Sequence, residues 1–516
     1  MSKSLFPRWA PRVVALAFCA ASLPVAADAA ATKLKLRGYL TARADANAML
    51  ILDDRIELTS SSRVLSRDSS GEHTFSPQAL SPGMLVEAEG QWLDKHKFFA
   101  EKLTVDLGED DKKIHGSAYL QEEPADATKI AAGDASDLKL DGYWLRLDAA
   151  TKRVWNTSKV AQGLPAKMPG ENAALAGYHV KYAGTRGKDG KIAAEEVELG
   201  PPAPADDYKI PHNLEIVRAK DPLTGIGVLE FRQGNKVQGR MKLLAERTVQ
   251  EYVSRLGDSL IPEGAKGTRR PIEFRFFVVE DPEINAASLP DGTLLINTGL
   301  LGALENEAQL AFVLSHEMAH VLQVHYRREV EETRGSRIGL TIAGLAAGAF
   351  IGNAGVFMSQ IGIASVVNGH QRELENQADR LGLQNVIEHG YDPREASNLS
   401  RIMISRYGDR TTSKLWSNHD SSVIRGSFLT VQLMREYSEG HWDTTRKNTP
   451  AFQTMKEDLG PIAPSHPGPD KHSKMPLLEH SLSFVAAAFL PELTKRLCTC
   501  RRARRPAARY LYLWPM

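Results

Sequence analysis

The run His316-Glu317-Met318-Ala319-His320 lies inside an apolar stretch that extends from Leu310 to Val324. This stretch contains no Gly or Pro, so its pattern predicts a helix. Residues four apart lie on one face of a helix, which directs both imidazoles to the same point. Two histidines at this spacing can bind one zinc ion, and Glu317 beside them can act on water. The alternative is a surface helix with two solvated histidines, which apolar surroundings disfavour because unpaired polar groups are costly there.

A zinc hydrolase commonly takes three protein ligands, and Glu375 is the candidate for the third. Glu375 and Asp379 lie four apart in the segment 372–382, so they share a helical face. Asp379 can then hydrogen-bond the second ring nitrogen of a ligating histidine and fix its tautomer. The small residue Ala378 would allow the two helices to approach closely. The alternative for this segment is a solvated acidic helix.

A longer form of the zinc motif carries a third histidine six residues after the second. Tyr326 occupies that position, so this form is excluded. His325 faces a different side of the helix and is expected to pack or to hydrogen-bond rather than to bind metal.

With these motifs the chain resembles the gluzincin metallopeptidase family that includes the CAAX prenyl proteases, HtpX, BepA and the mitochondrial Oma protease. The resembling segments lie within about residues 270–430 and are 285–286, 289–293, 297–301, 311–320, 375–379 and 390–393. The resemblance implies a mainly helical α+β zincin domain with a small sheet, one Zn²⁺ per chain and Glu375 as the third ligand. Ala287, Asp291 and Gln309 depart from the family pattern, at the substrate strand and the helix entry rather than at the metal.

The segment 417–425 resembles a later family segment that contains a His and an Arg at the same spacing. This resemblance implies that His419 and Arg425 approach the active site. There, either residue could stabilise the oxyanion formed from a peptide carbonyl. Asn418 and Asp420 depart from the family pattern. The alternative is a loop histidine and an arginine paired with an acid.

Two runs near the zinc motif have β character. Residues 292–297 are interpreted as an edge strand that a substrate peptide could extend by main-chain pairing, with an ordinary buried strand as the bland alternative. Residues 275–278 predict another strand of the same small sheet.

Residues 33–200 contain a diverged internal repeat. The run 83–90 matches 177–184 at an offset of 94 residues. Both units alternate apolar and polar residues between Gly- and Asp-rich turns, which predicts two small β-barrels or one fused β-domain. The pattern also resembles small exported β-domains, which implies that the two repeats are OB-like. We interpret this all-β region as a binding or positioning module, with a structural spacer as the alternative.

The chain of 516 residues has room for two to four domains. The predicted organisation is a signal peptide at 1–29, β repeats at 33–110 and 111–200, a Pro-rich linker at 201–208, the zinc metallopeptidase domain at 209–440, and a C-terminal loop and basic tail at 441–516.

The N-terminus combines basic residues, a short apolar run and a small-residue cleavage site at Ala27-Asp28-Ala29, which is typical of a cleavable secretory signal. After cleavage only Cys498 and Cys500 remain, too close together for an easy disulfide. A bacterial periplasm fits this pattern best. The net charge of +1 argues against nucleic acid as the main partner.

Two segments bear on membrane contact. Residues 338–369 carry no charge and are interpreted as packed helices covering the active site, with a membrane-touching hairpin as the alternative. The tail 495–516 begins with a basic run, which could bind an anionic membrane surface or represent an altered reading frame without a role.

The leading hypothesis is a periplasmic zinc endopeptidase that cleaves unfolded or misfolded envelope proteins, with the quality-control role implied by the resemblance alone. The alternative is a chaperone-like protein or assembly factor that binds partners through its β-domain. In that case His419 would plug the zinc site as a fourth ligand. Nothing in the sequence indicates the oligomeric state.

Overall fold

The computed structural model describes residues 34–106, 113–125, 129–130, 133–155, 175–187, 190–210, 213–262, 265, 272–333, 372–407, 422–438 and 440–462. The predicted signal peptide, the uncharged segment 338–369, His419 and the basic tail lie outside these residues. The chain divides into two compact units, with the boundary after Asp111.

The first unit is built from β-strands. They are β1 (Leu34–Tyr39), β2 (Ala42–Asp45), β3 (Ala48–Ile51), β4 (Asp54–Glu57), β5 (Arg63–Asp68), β6 (Gly71–Thr74), β7 (Leu85–Trp92) and β8 (Lys97–Asp106). Apolar residues alternate with exposed ones along these strands, so one face of the sheet forms a core that contains Leu36, Met49 and Phe98.

The second unit begins with six more strands. They are β9 (Lys113–Tyr119), β10 (Ser136–Leu140), β11 (Tyr143–Leu147), β12 (Lys152–Trp155), β13 (His179–Arg186) and β14 (Ile192–Gly200). Their order β9-β13-β14-β11-β10 repeats the order β1-β7-β8-β4-β3 of the first unit. A β-bulge falls at Gly90 in one unit and at Gly184 in the other, 94 residues apart. A Cβ at either glycine would run into the backbone of the facing strand.

The rest of the second unit combines two three-stranded sheets with helices. The strands are β15 (Glu215–Lys220), β16 (Gly227–Gln233), β17 (Lys236–Lys242), β18 (Arg275–Val279), β19 (Ala286–Ser288) and β20 (Thr293–Asn297). The helices are α1 (Arg247–Ser259), α2 (Thr298–Ala303), α3 (Glu307–Leu322), α4 (His325–Thr333), α5 (Arg372–Glu388), α6 (Arg394–Tyr407), α7 (Ser422–Glu436) and α8 (Pro450–Leu459). Among the described residues, no helix is long and apolar enough to span a membrane.

The small sheet beside the zinc motif corrects one sequence prediction. Strand β20, expected at an edge, lies between β18 on one side and β19 on the other. All of its side chains are buried, which fits the apolar run Leu294-Leu295-Ile296 at its centre. The edge position belongs instead to β19, a short strand paired antiparallel to β20.

Helix α3 is the centre of the helical core, because every one of its side chains is buried. Its N-terminus is capped by Asn306, whose side chain accepts a hydrogen bond from the Gln309 backbone N–H at 3.0 Å. Helix α5 packs against it, and Ala378 and Leu381 form one buried cluster with Ala319 of helix α3. This close approach brings the two predicted ligand segments together.

The C-terminal region also differs from expectation. The segment after residue 440 was predicted to be loop, but Pro450 begins helix α8. Thr449 caps this helix by accepting from the Phe452 N–H, and Pro fits the first helical position. Phe452 and Met455 are buried in the same core as α1 and α3. This short helix was not predicted because the segment around it is rich in Pro and charged residues.

Candidate metal centre

His316, His320 and Glu375 lie together in the core. The two Nε2 atoms are 3.0 Å apart, and the Glu375 carboxylate oxygens lie 3.6 Å from His316 Nε2 and 3.5 Å from His320 Nε2. Two ligands bonded tetrahedrally to one zinc ion at about 2.0–2.1 Å lie roughly 3.3 Å from each other. The donor set and its spacing therefore fit a divalent cation of this size. The alternative of solvated histidines is wrong, since both side chains are almost fully buried.

The side of His316 that faces away from this cluster meets a buried ion pair. Its Nδ1 lies 2.9 Å from Asp379 Oδ1, and Arg425 donates to both carboxylate oxygens at 2.5 and 3.1 Å. Burial alone would raise the pKa of Asp379, but the charge of Arg425 and the contact with His316 outweigh it and hold that pKa far below its usual range. The carboxylate is therefore ionised and accepts the Nδ1 proton, which leaves His316 Nε2 as an electron-pair donor.

Burial also lowers the pKa of the His316 imidazole, and the positive charge of Arg425 acts in the same direction. The neutral ring is the form that binds a metal. The contact with Asp379 thus fixes the orientation of the His316 ring, and burial keeps that ring neutral.

The other residues singled out in the sequence are placed as follows. Glu317 is buried in helix α3 directly after His316. Arg425 lies on helix α7, behind His316, where it pairs with Asp379 and comes within 3.2 Å of His316 Nδ1, as in the alternative of an arginine paired with an acid. His419 lies outside the described residues. Arg425 therefore approaches His316 from the side of Asp379.

His325 begins helix α4, immediately after Val324, which adopts a positive φ of 49°. This turn brings His325 Nδ1 to 2.9 Å from His320 Nδ1. The same ring contacts Gln377 on helix α5 through its Nε2 at 2.9 Å. The expectation that His325 forms hydrogen bonds is confirmed.

Sequence reasoning missed two residues of helix α5 that lie next to the centre. Gln377 and Arg380 are buried, although the acidic segment around them was also compatible with a solvated face. Arg380 pairs with Asp141, 239 residues earlier in the chain. No local pattern marks such a partner, so these roles depend on the tertiary structure.

The start of helix α3 is held by a second buried carboxylate. Glu395 accepts hydrogen bonds from Asn306 at 2.8 Å and from Gln309 at 2.9 Å, and it pairs with Lys447 at 2.7 Å. Gln309, one of the departures from the family pattern, is thus used as a hydrogen-bond donor to an acid.

A narrow cleft has the candidate ligand His320 in its wall. Its walls are formed by the residues around strand β19, the end of helix α3 and the linker before β15, namely Asp207, Tyr208, Ser288, Leu289, Pro290, His320, Val321, Val324 and Tyr326. The edge strand β19 and the candidate metal ligand His320 therefore border one cleft.

Comparison with known proteins gives an independent result. Residues 247–468 match the model of peptidase family M48. The chain is 33% identical over 179 residues to the beta-barrel assembly-enhancing protease of Yersinia pestis, covering 32% of this chain and 35% of that protein. It is 27% identical over 184 residues to the protein of the same name from Escherichia coli K12, covering 34% and 37%.

A third relative is the mitochondrial metalloendopeptidase OMA1 of Schizosaccharomyces pombe, at 26% identity over 237 residues, with 42% of this chain and 68% of that protein covered. The chain spans only about a third of the length of the two bacterial relatives. The match contains the cluster of His316, His320 and Glu375 and extends through helix α8. This part of the chain belongs to peptidase family M48, a family of gluzincin metallopeptidases.

Proposed function

We propose that this protein is a zinc-dependent endopeptidase that cleaves unfolded or misfolded proteins of the bacterial envelope. The observation that carries the proposal is the buried convergence of His316, His320 and Glu375 from two helices, with donor atoms 3.0–3.6 Å apart. Family membership supports the same chemistry. One Zn²⁺ per chain is the expected cofactor, held by these three ligands.

Bound there, zinc would activate water and polarise a peptide carbonyl. Glu317 is proposed as the general base that takes a proton from the water and passes it to the leaving amine. Asp379 is proposed to fix the His316 ring, with Arg425 holding the carboxylate in place. The expectation that His419 stabilises the oxyanion remains part of the proposal, whereas Arg425, paired with Asp379 behind His316, is proposed to act through that carboxylate instead.

We infer that the substrate binds as an extended strand. Strand β19 is paired with β20 on one side, and it borders the cleft that contains His320. A peptide that adds to such an edge gains main-chain hydrogen bonds regardless of its sequence. This mode suits an enzyme that acts on unfolded chains.

The compartment and the further parts of the chain are also proposals. The N-terminal signal pattern supports export to the periplasm, and β-barrel proteins are a candidate substrate class because two relatives are named for β-barrel assembly. The strand-rich repeats are proposed to be OB-like and to bind or position partners, with domain bounds at 33–110, 111–200, 201–208, 209–440 and 441–516. Segment 338–369 is proposed to cover the active site, with peripheral membrane contact as the alternative.

The test is cleavage of a permanently unfolded, carboxymethylated reporter protein by the purified chain and by its E317Q variant. We expect E317Q to bind zinc as the parent does and to lose about 10²–10⁴-fold in rate, the usual contribution of a general base. A chelator should abolish cleavage by the parent, and added zinc should restore it. Equal residual cleavage by parent and variant would remove the peptidase proposal.

A further inference from the structure

The second strand-rich repeat, residues 113–200, is seated on the helix that supplies the third candidate ligand. The hairpin between β10 and β11 turns at Asp141, whose carboxylate accepts from Arg380 Nη2 at 2.8 and 2.9 Å. Its backbone oxygen accepts from Arg380 Nε at 2.9 Å. Both side chains are 3% exposed. Charge-assisted contacts of this kind fix geometry strongly when they are buried.

The turn itself is shaped for this contact. Asp141 has φ 57° and Gly142 has φ 75°, both in the left-handed region. A Cβ at Gly142 would lie 2.7 Å from Arg380 Cβ, so only glycine allows the hairpin to approach this closely. Tyr182 donates to Asp141 at 2.9 Å and holds the carboxylate from within the repeat.

The contact continues from Arg380 to Gln377, one turn earlier on helix α5. Gln377 Nε2 donates to Asp141 Oδ1 and to the Ser117 backbone oxygen, each at 2.9 Å. Gln377 Oε1 lies 2.9 Å from His325 Nε2, and His325 Nδ1 lies 2.9 Å from His320 Nδ1. An unbroken series of hydrogen bonds thus joins the repeat to a candidate metal ligand.

The chemistry of the groups fixes the direction of each bond. The amide oxygen of Gln377 can only accept, so His325 Nε2 must donate to it. A neutral His325 then presents an acceptor at Nδ1, which requires His320 to carry its proton on Nδ1. His320 Nε2 is left with its electron pair directed at His316 Nε2 and Glu375, as metal binding requires.

A second tie joins the repeat to the same part of the peptidase core. The Gln323 side chain, three residues after His320, accepts from the Tyr119 N–H at 2.7 Å and donates to the Tyr119 oxygen at 2.9 Å. The repeat therefore holds both the end of helix α3 and the middle of helix α5.

We propose that the second β repeat supports the metal centre. Through Asp141, Gln377 and His325, the repeat holds His320 in the tautomer and orientation that bind the metal. The inference rests on the proposed function in that His320 is taken as a zinc ligand. Gln377 and His325 are positioning residues for that ligand. The repeat is thereby assigned a role that a spacer would not have.

The test measures zinc affinity by competition with a chromophoric chelator, and the absorption spectrum of the Co²⁺-loaded protein, both without substrate. The variants are D141N, which changes the repeat alone, Q377M, which breaks the series in its middle, and H325F, which removes the acceptor beside His320. We expect each to weaken zinc binding about 10–100-fold, the usual effect of losing an outer partner of a ligand. The Co²⁺ spectrum should change as well.

The control is K139M, which removes an exposed contact of the same hairpin, the 2.8 Å pair of Lys139 with Glu388, without touching the series. It should bind zinc as the parent does. Parent-like affinity in D141N and Q377M, or equal weakening in K139M, would overturn the proposal. If D141N does not fold, Q377M and H325F decide the question. A parent that binds zinc but cleaves nothing would defeat the proposed function and leave this test intact.

Discussion

Arg425 and Asp379 form a buried ion pair directly behind His316, with the guanidinium Nη2 2.5 Å from the carboxylate Oδ1. The same oxygen lies 2.9 Å from His316 Nδ1. One carboxylate therefore serves both a fixed positive charge and the ring of a candidate ligand.

The first prediction concerns this carboxylate. D379N keeps the size of the side chain but removes its charge, so the His316 ring loses its charged acceptor and zinc affinity should fall about 10–100-fold. Chelator competition measures the effect. D392N is the control, because Asp392 accepts from the Arg394 N–H at the start of helix α6, away from the metal. Unchanged zinc affinity in D379N would contradict the role given to Asp379.

The second prediction concerns metal removal. The three candidate ligands join helices α3 and α5, so a bound ion should stabilise the folded state. Zinc at about one hundred times its dissociation constant should add roughly 2.7 kcal/mol to the free energy of unfolding. The melting temperature should fall with a chelator and recover with zinc. A melting temperature that is the same under both conditions would count against a structural metal link between the helices.

The third prediction concerns Gly382, where helix α5 faces the backbone of His316 on helix α3. A Cβ there would lie 3.1 Å from the His316 backbone nitrogen and 3.2 Å from its Cα, and neither atom can move aside easily. Alanine favours a helix by about 1 kcal/mol over glycine, but G382A should push the helices apart and weaken zinc binding. A zinc titration and a thermal melt distinguish the two effects. A higher melting temperature with unchanged zinc affinity would contradict this prediction, because it would show that the two helices accommodate the added methyl group without moving apart.

The fourth prediction concerns pH. Burial raises the pKa of Glu395, but hydrogen bonds from Lys447, Asn306, Asn398 and Gln309 outweigh it and lower that pKa below its usual value. The ionised carboxylate therefore stabilises the fold above its unfolded pKa of about 4.3, and this contribution is lost as the pH falls through the folded value.

K447Q should raise the folded pKa of Glu395, so acid unfolding should begin at a higher pH than in the parent. Circular dichroism as a function of pH measures the midpoint. The control is K242Q, which breaks a pair with Glu280 in which both side chains are exposed. An unshifted midpoint in K447Q would show that the amides alone hold the Glu395 charge.

The part of the site that follows helical spacing could be predicted from the sequence. His316 and His320 are four apart, as are Glu375 and Asp379, and in each case the structure places the pair on one face of a helix. The small residue Ala378 correctly indicated close packing of the two helices. These features depend on local periodicity, which the sequence carries directly.

The parts that depend on long-range packing could not be predicted. Strand β20 was interpreted as an edge strand because it has β character and precedes the zinc helix, but its two neighbours are set by sheet topology. Helix α8 was not predicted, because the prolines and charged residues around it are typical of a loop. The partner of Arg380 is Asp141, which lies on a β hairpin 239 residues earlier in the chain. No spacing rule connects residues so far apart.

The hairpin that carries Asp141 also differs between the two β repeats. Its counterpart in the first repeat turns at Leu52, which has nearly the same backbone angle, φ 54°, but an apolar side chain that is buried. A tandem duplication leaves one copy free to diverge, and here the two copies differ at this turn position, where Asp141 binds Arg380 of helix α5 and Leu52 has an apolar side chain. Exchanging that position between the copies would therefore test how a duplicated β module became specialised.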